Sequence, residues 1–593
     1  EPKRILPEFS DICNNISWQN KYSEGIALCN AIEFRTEEGR AWLKNWRAHF
    51  LIYSDRVADG EHEIREALDE FERISGITEM ERKRYRASSK HRLATLFKRI
   101  GRGVEAEDAF KEAIALGREV NADPPSHLPP GYTNLELAHC LWWYGNHLDD
   151  HDRLKQAEEA FNEAIEEWDR WANQVGDLRS RAERRFRSIC QVNLCYVWMR
   201  IGRLSEAEAI CKSVLEEVQE PHLIGTIHFD LSMICRRMNR PFEALEWSEK
   251  AMMASNQMPE NIMLLLSVHT TSARILHELG RYSEALLKVE DVLRMARDPF
   301  EKAPEVYSMR VLESLGMKAV LLRQTGRISE ADKTYREVFR VRSELIDGSP
   351  DLMFWLLNDR GVLYFKTDRI SKAEKDFSEA LELARRVCKT SSEVFQNARN
   401  LALLLNNLGN LHLTNGQTRK AREAYEEALA VLDQLSELSI EMVRRGQSTV
   451  LNNLGALLVS TGELSKAESK LTESLSKRRE LEENGVGYHK VRVSSTLNNL
   501  GLLHMRRDDY SEALGLFQEA TNMIDSILSQ SSLDYMEDLR CTLSNQYIAL
   551  SKIDPDSKNT ENILKRLREL GVKEVEAEEW ILDEMESDGP LRY

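Results

Sequence analysis

The chain has 593 residues but only 28 Gly and 14 Pro, a composition suited to long helices rather than to sandwiches, barrels or dinucleotide folds. Its 42% hydrophobic and 30% charged residues exclude a disordered chain, and no apolar run reaches the roughly 18 residues that a membrane span needs. A net charge of -17 disfavours nucleic acid and anionic lipid as partners, and nine scattered Cys without a C-x-x-C pair argue against a disulfide framework or zinc ribbon and for a reducing, cytoplasmic setting.

In chain order, a small residue recurs on one face of successive helical stretches at Cys13, Ala48, Ala94, Gly145, Cys195, Ser232, Ala273, Ala319, Gly361, Gly409, Gly455 and Gly501. Twelve residues after each comes a second small residue: Gly25 and Gly60 in the first two, alanine from Ala106 onward. The first three units fill residues 1–122, and the chain starts at Glu1 rather than Met, which leaves room for an upstream domain. Two Pro-Pro pairs between Asp123 and Gly131 cannot continue a helix, so residues 123–134 are expected to form a loop. Units four to twelve occupy 135–525, with breaks expected from Asp298-Pro299 to Pro304 and from Asp347 to Pro350. Two amphipathic stretches within 526–572, at 538–550 and 560–570, suit a cap over the exposed apolar end. The remainder, 573–593, is an acidic tail around Trp580, read as a short amphipathic helix, a solvated tail or a segment folded onto a basic part of the same chain.

Three segments carry the repeat most clearly: LNNLGNLHLTNGQTRKAREAYEEAL from Leu405, LNNLGALLVSTGELSKAESKLTESL from Leu451 and LNNLGLLHMRRDDYSEALGLFQEAT from Leu497, each 46 residues after the last. A Gly or Asp stands seven residues after the small residue of helix A, and helix B follows. This resembles the tetratricopeptide repeat, and the Leu-Asn-Asn-Leu helix with its long period is similar to the repeats of kinesin light chains and of sensors in large signalling ATPases. The resemblance covers about residues 8 to 525 and implies an all-α fold, a right-handed α-solenoid of about twelve helix–turn–helix repeats with a C-terminal capping helix region. It also implies a non-enzymatic scaffold or adaptor that takes a protein or extended peptide in its concave groove. No heptad coiled coil accompanies it, so motor-adaptor function does not carry over. The alternative reading is a sensor or regulatory subunit of a separate signalling ATPase or protease.

In such a repeat, helix A lines the groove, which the resemblance assigns to the residues three and two before the small residue and one after it. In the C-terminal half these are Asn358 and Asp359, Asn406, Asn407 and Asn410, Asn452 and Asn453, and Asn498 and Asn499. A ladder of carboxamides can pair with the N–H and C=O of an extended peptide, or one Asn of each pair can bond to the adjacent repeat. In the N-terminal half the same positions hold Trp46, His91 and Arg92, Trp142 and Trp143, and Asn193. Trp and Arg there read either as ligand anchors or as inter-helix packing.

Catalytic and cofactor motifs are missing: no P-loop, dinucleotide fingerprint, H-E-x-x-H or G-x-S-x-G occurs, so no cofactor or metal is expected. The group His147, Asp149, Asp150, His151 and Asp152 reads as a solvated turn between two helices. Basic runs at Arg82–Arg86 through Arg99 and at Arg179–Arg187 are interleaved with aromatics and rich in Glu, which favours a solvated face or an acidic peptide over nucleic acid. Cys13, Cys29, Cys195 and Cys211 occupy packing positions and read as small hydrophobes.

Overall fold

A computed structural model describes residues 9–572, apart from 11, 14–15, 17–20, 55, 176–180, 239, 259–260, 346–349, 391–393, 436–439, 483–486 and 527–532, together with Val575 and Leu582. The described residues form 25 helices and no strand, divided between two compact units, Glu1–Asp230 and Leu231–Tyr593. The first unit holds α1 (Tyr22–Ala31), α2 (Glu37–Tyr53), α3 (Val57–Arg73), α4 (Glu79–Arg99), α5 (Gly103–Ala122), α6 (Tyr132–Asp150), α7 (Leu154–Val175), α8 (Arg181–Ile201) and α9 (Leu204–Glu217). The boundary falls within α10 (Pro221–Arg237). The second unit continues with α11 (Pro241–Ser255), α12 (Ile262–Glu278), α13 (Tyr282–Lys302), α14 (Pro304–Gln324), α15 (Ile328–Leu345), α16 (Pro350–Lys366), α17 (Ile370–Thr390) and α18 (Val394–Thr414). It ends with α19 (Thr418–Asp433), α20 (Ile440–Ser460), α21 (Leu464–Glu482), α22 (Gly487–Met505), α23 (Tyr510–Asp525), α24 (Leu533–Ile553) and α25 (Lys558–Glu569).

Local sequence explains where these helices start and stop. Proline opens α10, α11, α14 and α16, where its missing N–H would lack a helical partner in any case. Thr78 caps α4 in a capping box with Glu81, and Ser557 caps α25. The turn from helix A to helix B needs a left-handed residue, supplied seven positions after the small residue by glycines such as Gly416 (φ 70°) or by Asp152, Asp368 and Asp508 (φ 55–59°).

Packing follows the repeat frame. From Ala94 and Ala106 to Ala319 and Ala331, the small residues at the frame positions are fully buried. Each small residue of helix A faces the residue 16 positions later on helix B. A Cβ added at Gly501 would lie 2.5 Å from the Phe517 ring, so the helices approach closely only because that atom is missing. From α1 to α9 and from α11 to α25, successive helices pack on one another, and A helices also touch the next A helix: α4 contacts α2 and α6, and α20 contacts α18 and α22. The fold is an all-α solenoid within each unit.

Three expectations shift. The proline loop ends at Gly131, because α6 starts at Tyr132 rather than after residue 134. The break expected at Asp298-Pro299 comes later: α13 runs through Pro299 to Lys302, since a proline in the last turn forfeits one backbone bond while Ala303 N–H still bonds to Pro299 O at 2.9 Å. The capping helices are longer than the stretches read from sequence, and nearly all of the acidic tail lies outside the described residues. No helix among the described residues is long and apolar enough to cross a membrane.

Candidate protein-interaction site

The amide ladder of the second unit lies inside the stack and not on a groove. Asn358, Asn406, Asn407, Asn410, Asn452, Asn453, Asn498 and Asn499 are all at most 2% exposed. Asn407 Nδ2 donates to Asn358 Oδ1 at 3.1 Å, Asn453 Nδ2 to Asn406 Oδ1 at 3.0 Å and to Asn410 Oδ1 at 2.9 Å, and Asn499 Nδ2 to Asn452 Oδ1 at 3.2 Å. The groove placement is therefore corrected: A helices approach each other closely enough for these amides to meet, and burial requires each to find a partner. Sequence reading missed the next member, Asn545, whose Nδ2 donates to Asn498 Oδ1 at 2.9 Å from the capping helix α24. Counting 46 residues beyond Asn499 would have found it.

In the first unit the same register holds aromatic and charged groups, and the pattern of partners changes. Asn193 alone keeps the amide link, donating to Asn146 Oδ1 at 2.9 Å. Trp46 is 4% exposed and donates to Ser10 Oγ at 3.2 Å. The Arg92 guanidinium stacks 4.0 Å above the Trp46 ring, 9% exposed, and has no hydrogen-bond or ion-pair partner among the described residues. Two turns earlier on α4, Arg84 is also buried but bonds both Glu136 oxygens at 2.8 Å. Burial pushes the Arg92 guanidinium down to about 10, still charged at neutral pH. Burial, with the Arg92 charge adding to it, lowers His49 and His91, the latter to about 3, and burial lowers His139 to about 4.

Beside Arg92, which does not itself line it, lies a cavity of about 90 Å³ between α2, α4, α5 and α6, lined by Trp46, Arg84, His91, Tyr132, Glu136 and His139 among others. His91 Nε2 is buried there without a hydrogen-bond partner. Along the A-helix face lie half-buried Trp142 and Trp143, 5.0 Å apart, with Tyr53 6.5 Å from Trp143 and the Lys98 ammonium 5.9 Å over the Trp143 ring. The face is aromatic and cationic, able to take an apolar side chain and an anionic group together.

Residues 352–434 match the family described as tetratricopeptide repeat, and residues 493–524 match a second family of the same description. The chain is a tetratricopeptide repeat protein. Residues 49–124 and 226–316 match the family described as anaphase-promoting complex subunit 5. Similar solved structures include the APC/C hetero-tetramer Cut9–Hcn1, at 15% identity and TM-score 0.48 over 96% of each chain. Apo RapI aligns at 14% identity and TM-score 0.48 over 68% of this chain and 99% of its own, and BtubC (BKLC) from P. vanneervenii at 23% and 0.33 over 42% and 92%. No curated protein matches the sequence. The matched families name the repeat and a complex subunit, not the kinesin light chain.

In this tetratricopeptide repeat protein the first basic run is already neutralised. Lys83 pairs with Glu119 at 2.6 Å, Arg86 with Glu112 at 2.7 Å and Lys98 with Asp150 at 2.8 Å, leaving little unpaired charge for a phosphate backbone. In the second run, the side chains of Arg179, Arg181, Arg184 and Arg185 lie outside the described residues, while Arg187 bonds Asp169 at 3.0 Å. The His147–Asp152 turn is taken up by neighbours: Asp149 and Asp152 pair with Arg200, and His151 Nδ1 bonds His147 O at 2.8 Å.

Proposed function

We propose that the chain is a non-enzymatic scaffold of a multi-protein assembly, and that the A-helix face of its first unit binds an acidic segment of a protein partner. The observation that carries this is Arg92, a buried cation on an aromatic ring with no carboxylate bonded to it, since Glu136, whose charge it feels, is bonded to Arg84. Leaving a guanidinium buried without a bonded carboxylate is costly, and a ligand carboxylate would lower that cost. Trp142, Trp143 and Tyr53 supply apolar area of the kind that anchors interfaces, and Asn193 adds a half-buried amide at the next repeat. The match of residues 49–124 to a subunit family of a large complex supports a place within an assembly rather than a lone sensor. All nine cysteines are free, in keeping with a reducing compartment.

The test is a peptide array in which Asp and Glu content varies around a fixed aromatic residue. Wild type should retain the acidic peptides, and Arg92→Gln should weaken that retention by at least about tenfold, equivalent to about 1.4 kcal/mol. Retention that ignores acidity, or survives Arg92→Gln, rejects the reading.

A further inference from the structure

The repeat frame sets the residue of helix A against the residue 16 positions later on helix B. In most repeats a small residue meets a large one, as Gly145 meets Phe161 and Gly361 meets Phe377. At Cys195 on α8 and Cys211 on α9 both members are thiols, 0% and 1% exposed, with their sulfurs 2.7 Å apart in hydrogen-bond contact and not joined as a disulfide. The next A helix, α10, places Asp230 against them. The two sulfurs and a carboxylate oxygen all lie within 4.8 Å of one another. Asp230 holds the register that the buried Asn occupy in the second unit, but it is a carboxylate, 6% exposed, with no hydrogen-bond or ion-pair partner among the described residues.

Small-hydrophobe packing accounts for the thiols but not for a carboxyl group buried beside them with no hydrogen-bond or ion-pair partner among the described residues. A disulfide would likewise leave the acid unexplained. We propose that Cys195, Cys211 and Asp230 form a binding site for a thiophilic divalent cation of the zinc class. Two thiolates and one carboxylate from three consecutive helices supply three positions of a tetrahedron, and the fourth is left for water or an exogenous ligand. With metal–sulfur bonds of about 2.3 Å the sulfurs would part to about 3.8 Å, a movement of about 1 Å that side-chain rotation can supply. The ion would tie α8, α9 and α10 together, and its binding would be linked to folding. The inference is independent of ligand recognition at Arg92.

A second thiol pair with the same spacing serves as an internal control. Cys13 and Cys29 also face each other, but the residue two before the next small position there is Trp46, not an acid.

The experiment uses the full chain, reduced and metal-free, titrated with Co²⁺ alone and followed by thiolate-to-cobalt charge-transfer absorption. Wild type and the Cys13→Ser/Cys29→Ser variant should each bind one equivalent and release it to Zn²⁺. Cys195→Ser and Cys211→Ser should lose the band. Asp230→Asn, which keeps size and shape and so guards against a folding artefact, should bind at least about tenfold more weakly. No charge-transfer band in wild type would overturn the site, as would a band that survives both Cys195→Ser and Cys211→Ser, full affinity in Asp230→Asn, or thiol counting that finds Cys195 and Cys211 joined in the protein as isolated.

Discussion

Arg84 and Arg92 lie eight residues apart on one helix, both buried and both against aromatic rings, yet only Arg84 has a carboxylate bonded to it. Burial also shifts the neighbouring histidines, and at His91 the Arg92 charge adds to it. His91 and His139, held at about 3 and about 4, are neutral at pH 7, while in the unfolded chain they would titrate near 6.5. Because the unfolded state takes up protons first as pH falls, the stability associated with the neutral rings is complete above about pH 6.5 and is lost progressively toward pH 4. Both rings keep some solvent contact, so the loss is on the order of 2 kcal/mol for each rather than the full value of the shift. Urea unfolding of the first unit, followed by Trp fluorescence between pH 7.5 and 4.5, should show stability falling with pH. His91→Gln/His139→Gln should flatten that slope, and an unchanged slope in the double variant would exclude these rings as its source.

At the scale of helices, the buried amides are what couple one repeat to the next in the second unit. Asn453 donates to both Asn406 and Asn410 and accepts from Asn452, so Asn453→Ala removes three buried hydrogen bonds, although Asn410 Oδ1 keeps the Tyr425 hydroxyl, and should cost about 2–3 kcal/mol. Asn193→Ala removes one half-buried bond to Asn146 and should cost about 0.5–1 kcal/mol. Equal costs in chemical denaturation would mean that burial of the spine does not set its strength. The repeats themselves were legible because small residues at a steady frame admit one close-packed helix pair, and the left-handed Gly or Asp seven positions on marks each turn. The direction of the Asn was not legible. Adjacent helical positions differ by about 100° around the axis, so the same periodicity serves a face turned to a groove and one turned to the next A helix. Only Asn545 breaks that tie, since an amide in the same register on a capping helix has a repeat behind it and no groove ahead. Asp230 was missed for the same reason: its register was plain, but what lay opposite was not.

Over the whole chain, stability in an array whose repeats touch only their neighbours is a sum of local terms, and cooperativity can fail where coupling is weakest. The two compact units differ in how their A helices are joined, by an amide spine from Asn358 to Asn545 in one and largely by aromatic and charged groups in the other. They are therefore expected to unfold in separate transitions. The chain carries its own reporter for this, because eight of its eleven Trp precede Leu231, so fluorescence weights the first unit while far-ultraviolet circular dichroism weights all helices. Denaturant curves from the two probes should not coincide, a departure from two-state behaviour. Asn453→Ala should shift only the transition weak in fluorescence, and acidification only the transition strong in it. Superimposable curves that move together in both cases would show one cooperative unit and place the coupling between repeats above the difference in their junctions.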